Sequence, residues 1–423
     1  MVAVVVLALI AAGCGASGSD TPAARPVTSD VAQWRTWIVG TPGSIPVPPP
    51  PAGLAVGTRG STAVLGQQWI ELAMEFVSAR TKDPPAASRA YALVAVAEFD
   101  ALVVARHWQG VFGTPGYPSE EAAVAGAGSR VLGYLFPEQS ALRLDQQAEE
   151  AAITGQADGD AGLQAGRDVA VRVIADARTD GSERVWDGTH PPGILDQPGF
   201  WQPPPGSVSP PVQPLAGGWR TWVLPSGDSL RPPPPPVYGS PEYLAEARQL
   251  VEIGRDLTDE QGRIARYWEG GQGTPLPPGI WNRIILDYLA QRGADGPQSV
   301  RTLVLANVAM ADAGVAAWDA KYTWWTPRPE NSIRELVDPA WRPLLRTPLF
   351  PAYVSGHSTY SAAVATVLAH LFPADAERFL AMGEEAGLSR LYGGIHWPSD
   401  HVRGSAMGRE LGDRVVRRAE LDE

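Results

Sequence analysis

The chain has 423 residues, room for one large domain or two, and carries 34 basic against 46 acidic side chains for a net charge of −12. That balance, without any basic run, argues against nucleic acid as a partner. A single cysteine, Cys14, excludes an internal disulfide, and an apolar share of 44% is enough for a sizeable core.

Residues 2–12 form an apolar run. A bilayer span needs roughly 20 residues, so this run reads as a signal-peptide core. The sequence Ala11-Ala12-Gly13-Cys14 that ends it resembles a bacterial lipoprotein cleavage box, with Cys14 as the lipidated residue. Alanine stands where leucine is commonest in such boxes, and no Lys or Arg precedes the run. The expectation is a signal peptide over 1–14 and an exported, extracytoplasmic protein held at the cell membrane by a lipid on Cys14. Residues 15–60 are rich in Ser, Thr, Pro and Gly and read as a semi-rigid tether, whose Trp34-Arg-Thr-Trp37 is able to pack on the domain.

Helical periodicity starts near Thr62 and covers 65–79, 86–108, 120–136, 140–154 and 158–179, with no sustained strand-like alternation. Glu98 and Asp100 interrupt the apolar helix over 86–108; such acids are expected to pair with an arginine of a neighbouring helix. Between 181 and 240 proline and tryptophan dominate, as in Trp201-Gln-Pro-Pro-Pro, Trp219-Arg-Thr-Trp222 and the proline run ending at Pro236. Disordered linkers rarely carry so many tryptophans, so this stretch is expected to pack, with His190 exposed in it. Helices resume over 241–257, 281–292, 297–322 and 402–419. His107 and His370 read as capping or packing residues at helix ends, and His401 as a surface neighbour of Asp400.

Three clusters near the end concentrate the polar chemistry: Lys321 with Arg328-Pro329, then Ser355-Gly356-His357, then Arg390 followed by His396 and Asp400. A lysine and two arginines converging on one point suit a tetrahedral oxyanion and repel a divalent cation. Ser355-Gly356 opens an apolar helical run, where free backbone N–H groups add to anion binding. His396 precedes Asp400 by four residues, so a carboxylate one helical turn away orients its ring for attack on phosphorus or for ligating a phosphate-like metal oxide. His357, at the helix start, suits proton transfer.

The pattern Lys-x6-Arg-Pro, Ser-Gly-His, Ser-Arg-x5-His-x3-Asp resembles the signature of the type 2 phosphatidic acid phosphatase and vanadium-dependent haloperoxidase superfamily. The resemblance implies that Lys321, Arg328, Arg390, Ser355 and Gly356 bind phosphate or vanadate oxygens. It makes His396 the phosphatase nucleophile or the vanadium ligand, His357 the acid–base histidine and Asp400 the partner of His396. Val354 stands where the family usually has proline. Trp318 and Phe350 match aromatic positions near the halide in chloroperoxidase-like enzymes, and 88–101 and 268–282 resemble further stretches of bacterial haloperoxidase-like proteins. His396-Trp-Pro-Ser-Asp400, by contrast, reads much like the His-Tyr-Pro-Ser-Asp of phosphatases. The leading expectation is a vanadate-dependent haloperoxidase taking peroxide and halide. The alternative is an acid phosphatase that forms a phosphohistidine on a phosphate ester and needs no cofactor. The fold implied is all-α, a multi-helix bundle whose central four-helix core carries the oxyanion site. Residues 61–423 form its single domain: a helical half (61–180), a wrapping loop (181–240) and a site-bearing half (241–423).

Overall fold

The computed structural model describes residues 30–54, 64–80, 83–138, 141–152, 156–191, 193–194, 197–204 and 206–422; the expected signal peptide and Cys14 lie outside them. The described residues form helices, turns and loops with no β-strand. In chain order the helices are α1 (Gln67–Arg80), α2 (Pro84–Phe112), α3 (Glu120–Leu135), α4 (Ala141–Ala152), α5 (Ala157–Ala177), α6 (Pro241–Arg255), α7 (Asp259–Tyr267) and α8 (Leu276–Arg292). They continue with α9 (Gly296–Trp324), α10 (Pro329–Leu336), α11 (Gly356–Leu371), α12 (Ala376–Tyr392) and α13 (Pro398–Ala419).

The two longest helices, α2 and α9, are apolar nearly all round because both run through the middle of the molecule, packed on each other. Each starts at an aspartate cap: Asp83 accepts from Ala86 N–H at 2.8 Å, and Asp295 from Gln298 N–H at 2.8 Å. Proline follows in the first turn of both, where no N–H is missed. On α2 pack α3 and α5, with α4 on α3; on α9 pack α11 and α13, with α12 on α11. In each group two helices meet without side chains between them. A Cβ on Gly166 of α5 would stand 1.9 Å from the Ala123 carbonyl of α3, and one on Gly408 of α13 would stand 2.4 Å from the Thr359 carbonyl of α11.

These groups are two renderings of one plan. The sequence Trp-Arg-Thr-Trp occurs at 34–37 and again at 219–222. Asp100 of α2 accepts the backbone N–H groups of Trp37, Ile38 and Val39 at 2.7, 2.9 and 2.9 Å. Asp312 of α9 accepts those of Trp222, Val223 and Leu224 at 2.7, 2.8 and 3.1 Å. Burial pushes both carboxyls up to about 6, against the pull of the three N–H donors. Arg89 donates to the Ala177 carbonyl and Arg301 to the Ala419 carbonyl, at matching places in the two halves. The two copies meet at Trp37 and Trp222, whose rings cross edge to face at 6.2 Å.

Several expectations need correction. Within the stretch read as a tether over 15–60, residues 30–54 lie on the helical body: Val31, Trp34, Val39, Ile45 and Val47 are buried, and Trp34 stacks on Phe99 at 5.4 Å. Asp100 has backbone N–H partners rather than an arginine, and Glu98 has no hydrogen-bond partner at all among the described residues. His401 is 6% exposed rather than a surface neighbour. The periodicity also passes over α7 and α10, and α8 begins at Leu276 because Pro277 and Pro278 fill a first helical turn. The segment over 181–240 packs closely: Trp201 N–H donates to the Trp325 carbonyl, Val212 N–H to that of Leu349, and Arg231 grips Asp319 at 2.7 and 2.8 Å.

Glu98 is fully buried against Gly66, which has φ +83° and where a Cβ would fall 2.7 Å from Oε2. Burial raises its carboxyl well above the ordinary value, so the folded chain holds this proton more tightly than the unfolded chain. Stability from the neutral acid is therefore complete below the ordinary carboxyl range and is lost as pH rises toward the folded value. Glu98→Gln is expected to flatten the pH dependence of unfolding just above the ordinary carboxyl range by one proton, about 1.4 kcal/mol per pH unit relative to the parent. Denaturant titrations of both proteins across that window check it, and parallel curves would contradict it.

Candidate active site

The three sequence clusters converge at one end of the α9, α11, α12 and α13 group. Lys321 lies in the last turn of α9, and Arg328 caps the start of α10. Ser355 caps α11, accepting from Ser358 N–H, and Gly356 and His357 form its first turn. Arg390 lies in the last turn of α12, and Asp400 in the first turn of α13. Helix ends are where backbone groups lack intrahelical partners, so charged side chains collect there.

The cations are held from behind by carbonyls. Lys321 is fully buried and donates to the carbonyls of Pro351, Ala352 and Val354 at 3.0, 2.9 and 2.6 Å. An ammonium has three N–H groups, so all of them are engaged and Lys321 offers the site charge rather than a spare donor. The strand of chain that cages it includes a cis peptide between Tyr353 and Val354. Arg328 donates from Nε to the Phe350 carbonyl at 2.8 Å and from Nη1 to the Ile395 carbonyl at 2.7 Å, while its buried Nη2 has no partner. Arg390 donates to Ser389 Oγ at 2.8 Å and to the Ala265 carbonyl at 2.6 Å. Burial pulls both guanidiniums down to about 9 and pulls Lys321 well below its ordinary value, with Arg328 adding repulsion. Such costs mark a place that lacks negative charge.

The two histidines are fixed in opposite senses. Nδ1 of His396 lies 2.7 Å from Asp400 Oδ2, which also accepts Trp397 N–H at 3.0 Å, while Nε2 lies 3.0 Å from Nη1 of Arg328. A guanidinium cannot accept, so Nε2 of His396 carries the lone pair and Nδ1 the proton. Nε2 of His357 lies 2.7 Å from the Trp268 carbonyl. A carbonyl cannot donate, so here Nε2 carries the proton. Burial first, then the surrounding cations, push both imidazoles well below their ordinary value. Burial pushes the Asp400 carboxyl up to about 7.

A cavity of about 580 Å³ opens onto these groups, lined by Gly356, His357, Arg390 and His396 on one side and by Trp318 and Phe350 on another. The Trp318 and Phe350 rings pack at 5.0 Å, and Phe350 lies 4.8 Å from the Arg328 guanidinium carbon and 5.2 Å from Lys321 Nζ. Every residue named from the three motifs is thus brought to one place. Lys321, Arg328, Ser355 and Asp400 lie in the layer behind the cavity wall.

Some of the site is contributed by residues that the motifs do not mark. The end of α7 supplies two of the carbonyls, Ala265 and Trp268, and the loop after it lines the cavity with Glu269, Gly270 and Gln272. Val212, in the proline-rich segment, lines it too and accepts from Trp318 Nε1 at 3.2 Å and from Tyr322 OH. His401 bridges α11 and α12, with Nδ1 3.0 Å from Ser358 Oγ and Nε2 3.0 Å from Glu384. Backbone carbonyls have no residue signature, and only the tryptophan and glycine content of 268–273 hinted at this contribution.

Comparison with known proteins fits this geometry. The family model for the VCPO second helical-bundle domain matches residues 301–383 and 375–421, the half that carries the site. Vanadium chloroperoxidase of Curvularia inaequalis is 30% identical over 124 residues, 23% of this chain and 20% of that protein's length. The crystal structure of a bacterial vanadium-dependent iodoperoxidase superposes with a TM-score of 0.73 at 26% identity, covering 86% of this chain and 98% of that one. A bacterial vanadium-dependent chloroperoxidase in its holo form shares the fold, with a TM-score of 0.63 at 15% identity over 80% of this chain and 92% of that one. These matches make the chain similar to the vanadium haloperoxidases and support a haloperoxidase-like branch.

Proposed function

We propose that the protein is a vanadate-dependent haloperoxidase that uses peroxide to oxidise halide. The observation that carries the reading is His396 at the wall of a cavity, its Nε2 held as an acceptor by Arg328, with Arg390 also on the wall, Lys321 and Arg328 behind it, and only Asp400 and Glu269 as carboxylates nearby. That donor set fits vanadate: one imidazole nitrogen for the metal, and positive charge with an unpartnered Arg328 Nη2 for its oxygens. His396 would ligate it, Arg328 and Arg390 would bind its oxygens with the Ser355-Gly356 end of α11, and Lys321 would balance its charge. Bound there, vanadate would supply the Lewis-acidic centre at which peroxide becomes reactive toward halide.

The chain's own groups then have separate tasks. Asp400 holds the His396 ring by its Nδ1–H, so the lone pair keeps its direction. His357 stays neutral between the cations and accepts a proton from an incoming peroxide on Nδ1, since its Nε2–H is engaged by Trp268. Trp318 and Phe350 wall the place where a halide would stand, beside Lys321 and Arg328, so that an anion entering there meets positive charge and aromatic edges. The similarity to the bacterial iodoperoxidase over nearly the whole of both chains favours this reading over phosphate-ester hydrolysis.

With purified protein, bromination or iodination of a phenol dye by peroxide is expected only after orthovanadate is added, and phosphate is expected to suppress it. His396→Ala should abolish turnover, and His357→Ala should lower kcat by about 10²- to 10⁴-fold. Hydrolysis of a nitrophenyl phosphate without any halogenation would instead assign the phosphatase reaction. A simpler readout tests the oxyanion site itself. Phosphate or orthovanadate at a hundred times its Kd should add about 2.7 kcal/mol to unfolding free energy. Arg328→Ala should remove most of that increment in the same melting series.

A further inference from the structure

The acid–base histidine is held by a chain of contacts that starts outside the motifs. Glu385, half-buried on α12 five residues before Arg390, accepts the indole Nε1–H of Trp268 at 2.8 Å. Trp268 caps the C-terminus of α7, is 1% exposed, and packs its ring on Trp281 at 5.5 Å. Its carbonyl lies 2.7 Å from Nε2 of His357. The ring and the carbonyl belong to one residue, so the bond to Glu385 fixes where the carbonyl stands. Ala265, one turn earlier, gives its carbonyl to Arg390. The last turn of α7 is therefore clamped to α12 at both ends, by Arg390 and by Glu385, and presents Trp268 to α11.

We propose that Glu385 and Trp268 are positioning residues that hold His357 as its Nε2–H tautomer and leave Nδ1 as the ring's proton acceptor. The role rests on the proposed haloperoxidase reading only for what His357 then does with that nitrogen. Without the carbonyl, nothing described near the ring would favour one nitrogen over the other, and the neutral ring would divide between two tautomers. In the wrong one, Nδ1 bears the proton and cannot accept a second. What Glu385 supplies is an acceptor for an indole N–H, so its charge is not required.

Nitrogen-15 correlation spectra of the histidine rings in the full chain, without added oxyanion, test this directly. His357 is assigned among the six histidines from the spectrum of His357→Gln. The parent protein is expected to show the Nε2–H pattern at His357. Glu385→Leu should shift that ring toward a tautomer mixture and lower kcat by about ten- to hundredfold, the usual cost of losing such a partner, with orthovanadate affinity unchanged. Glu385→Gln, which keeps an acceptor, should restore both the ring pattern and kcat. Trp268→Phe removes the indole N–H while keeping the carbonyl, and should behave as Glu385→Leu does, so the test survives if one variant fails to fold. An Nδ1–H pattern in the parent, or a ring pattern unmoved in both disrupting variants, would overturn the proposal. The ring spectra read the same way whether or not the parent halogenates, so they separate this inference from the proposed activity.

Discussion

The architecture of the site follows from the burial of three cations at the end of one four-helix group. A charged group taken from water needs several kcal/mol of compensation. Here it comes from backbone: the carbonyls of Phe350, Pro351, Ala352 and Val354 face Lys321 and Arg328, that of Ile395 faces Arg328, and that of Ala265 faces Arg390. Carbonyls carry only partial charge, and the one carboxylate among them is committed to His396 and Trp397 N–H. Apart from Arg328 Nη2 and Asp400 Oδ1, the site is thus satisfied in hydrogen bonds but short of negative charge. That shortage is what an oxyanion supplies.

Duplication explains how such a site is afforded by the fold. Both halves of the chain use the same devices to seat their Trp-Arg-Thr-Trp segments, with Asp100 and Asp312 each gathering three consecutive N–H groups. The first half keeps those devices, and Ser119 N–H donates to the Asp158 carbonyl there as Ser355 N–H does to that of Asp400 in the second. It also supplies the long helix α2, on which α9 packs. One half therefore acts as the rigid support for the other, and the motif residues can be held by helix ends rather than by loops alone.

The sequence makes the fold class and the site residues legible, for a shared reason. Long apolar helices announce themselves by period, and Lys321, Arg328, His357, Arg390, His396 and Asp400 stand out because charge is costly among apolar neighbours. What escapes is whatever acts through the main chain or through another helix. The carbonyl of Trp268 has no signature in residue type. Helix α7 is nine residues long and mostly polar, too short and too charged for its period to show. Glu98 and Asp100 look alike in sequence; that one meets three N–H groups and the other none depends on a segment some sixty residues earlier in the chain. The Trp-Arg-Thr-Trp repeat stands in plain sight at 34–37 and 219–222, yet it becomes meaningful only when both copies are seen to dock on an aspartate in the middle of a central helix.

The two histidines show how the charge shortage bears on chemistry. Their protons sit on opposite nitrogens, His396 bonding through Nδ1–H to a carboxylate and His357 through Nε2–H to a carbonyl. Each therefore keeps one lone pair free of its structural partner. Burial and the nearby arginines and lysine hold both rings neutral in the absence of an anion. An anion entering the cavity opposes the second of those influences, since negative charge favours the protonated ring. The proton affinity of His357 must then rise as the site fills. A ring that is a weak base while the cavity is empty becomes a stronger one when there is a bound oxygen to exchange a proton with. On the proposed reading, the same three cations that would attract the oxyanion would also keep the base in reserve until it arrives.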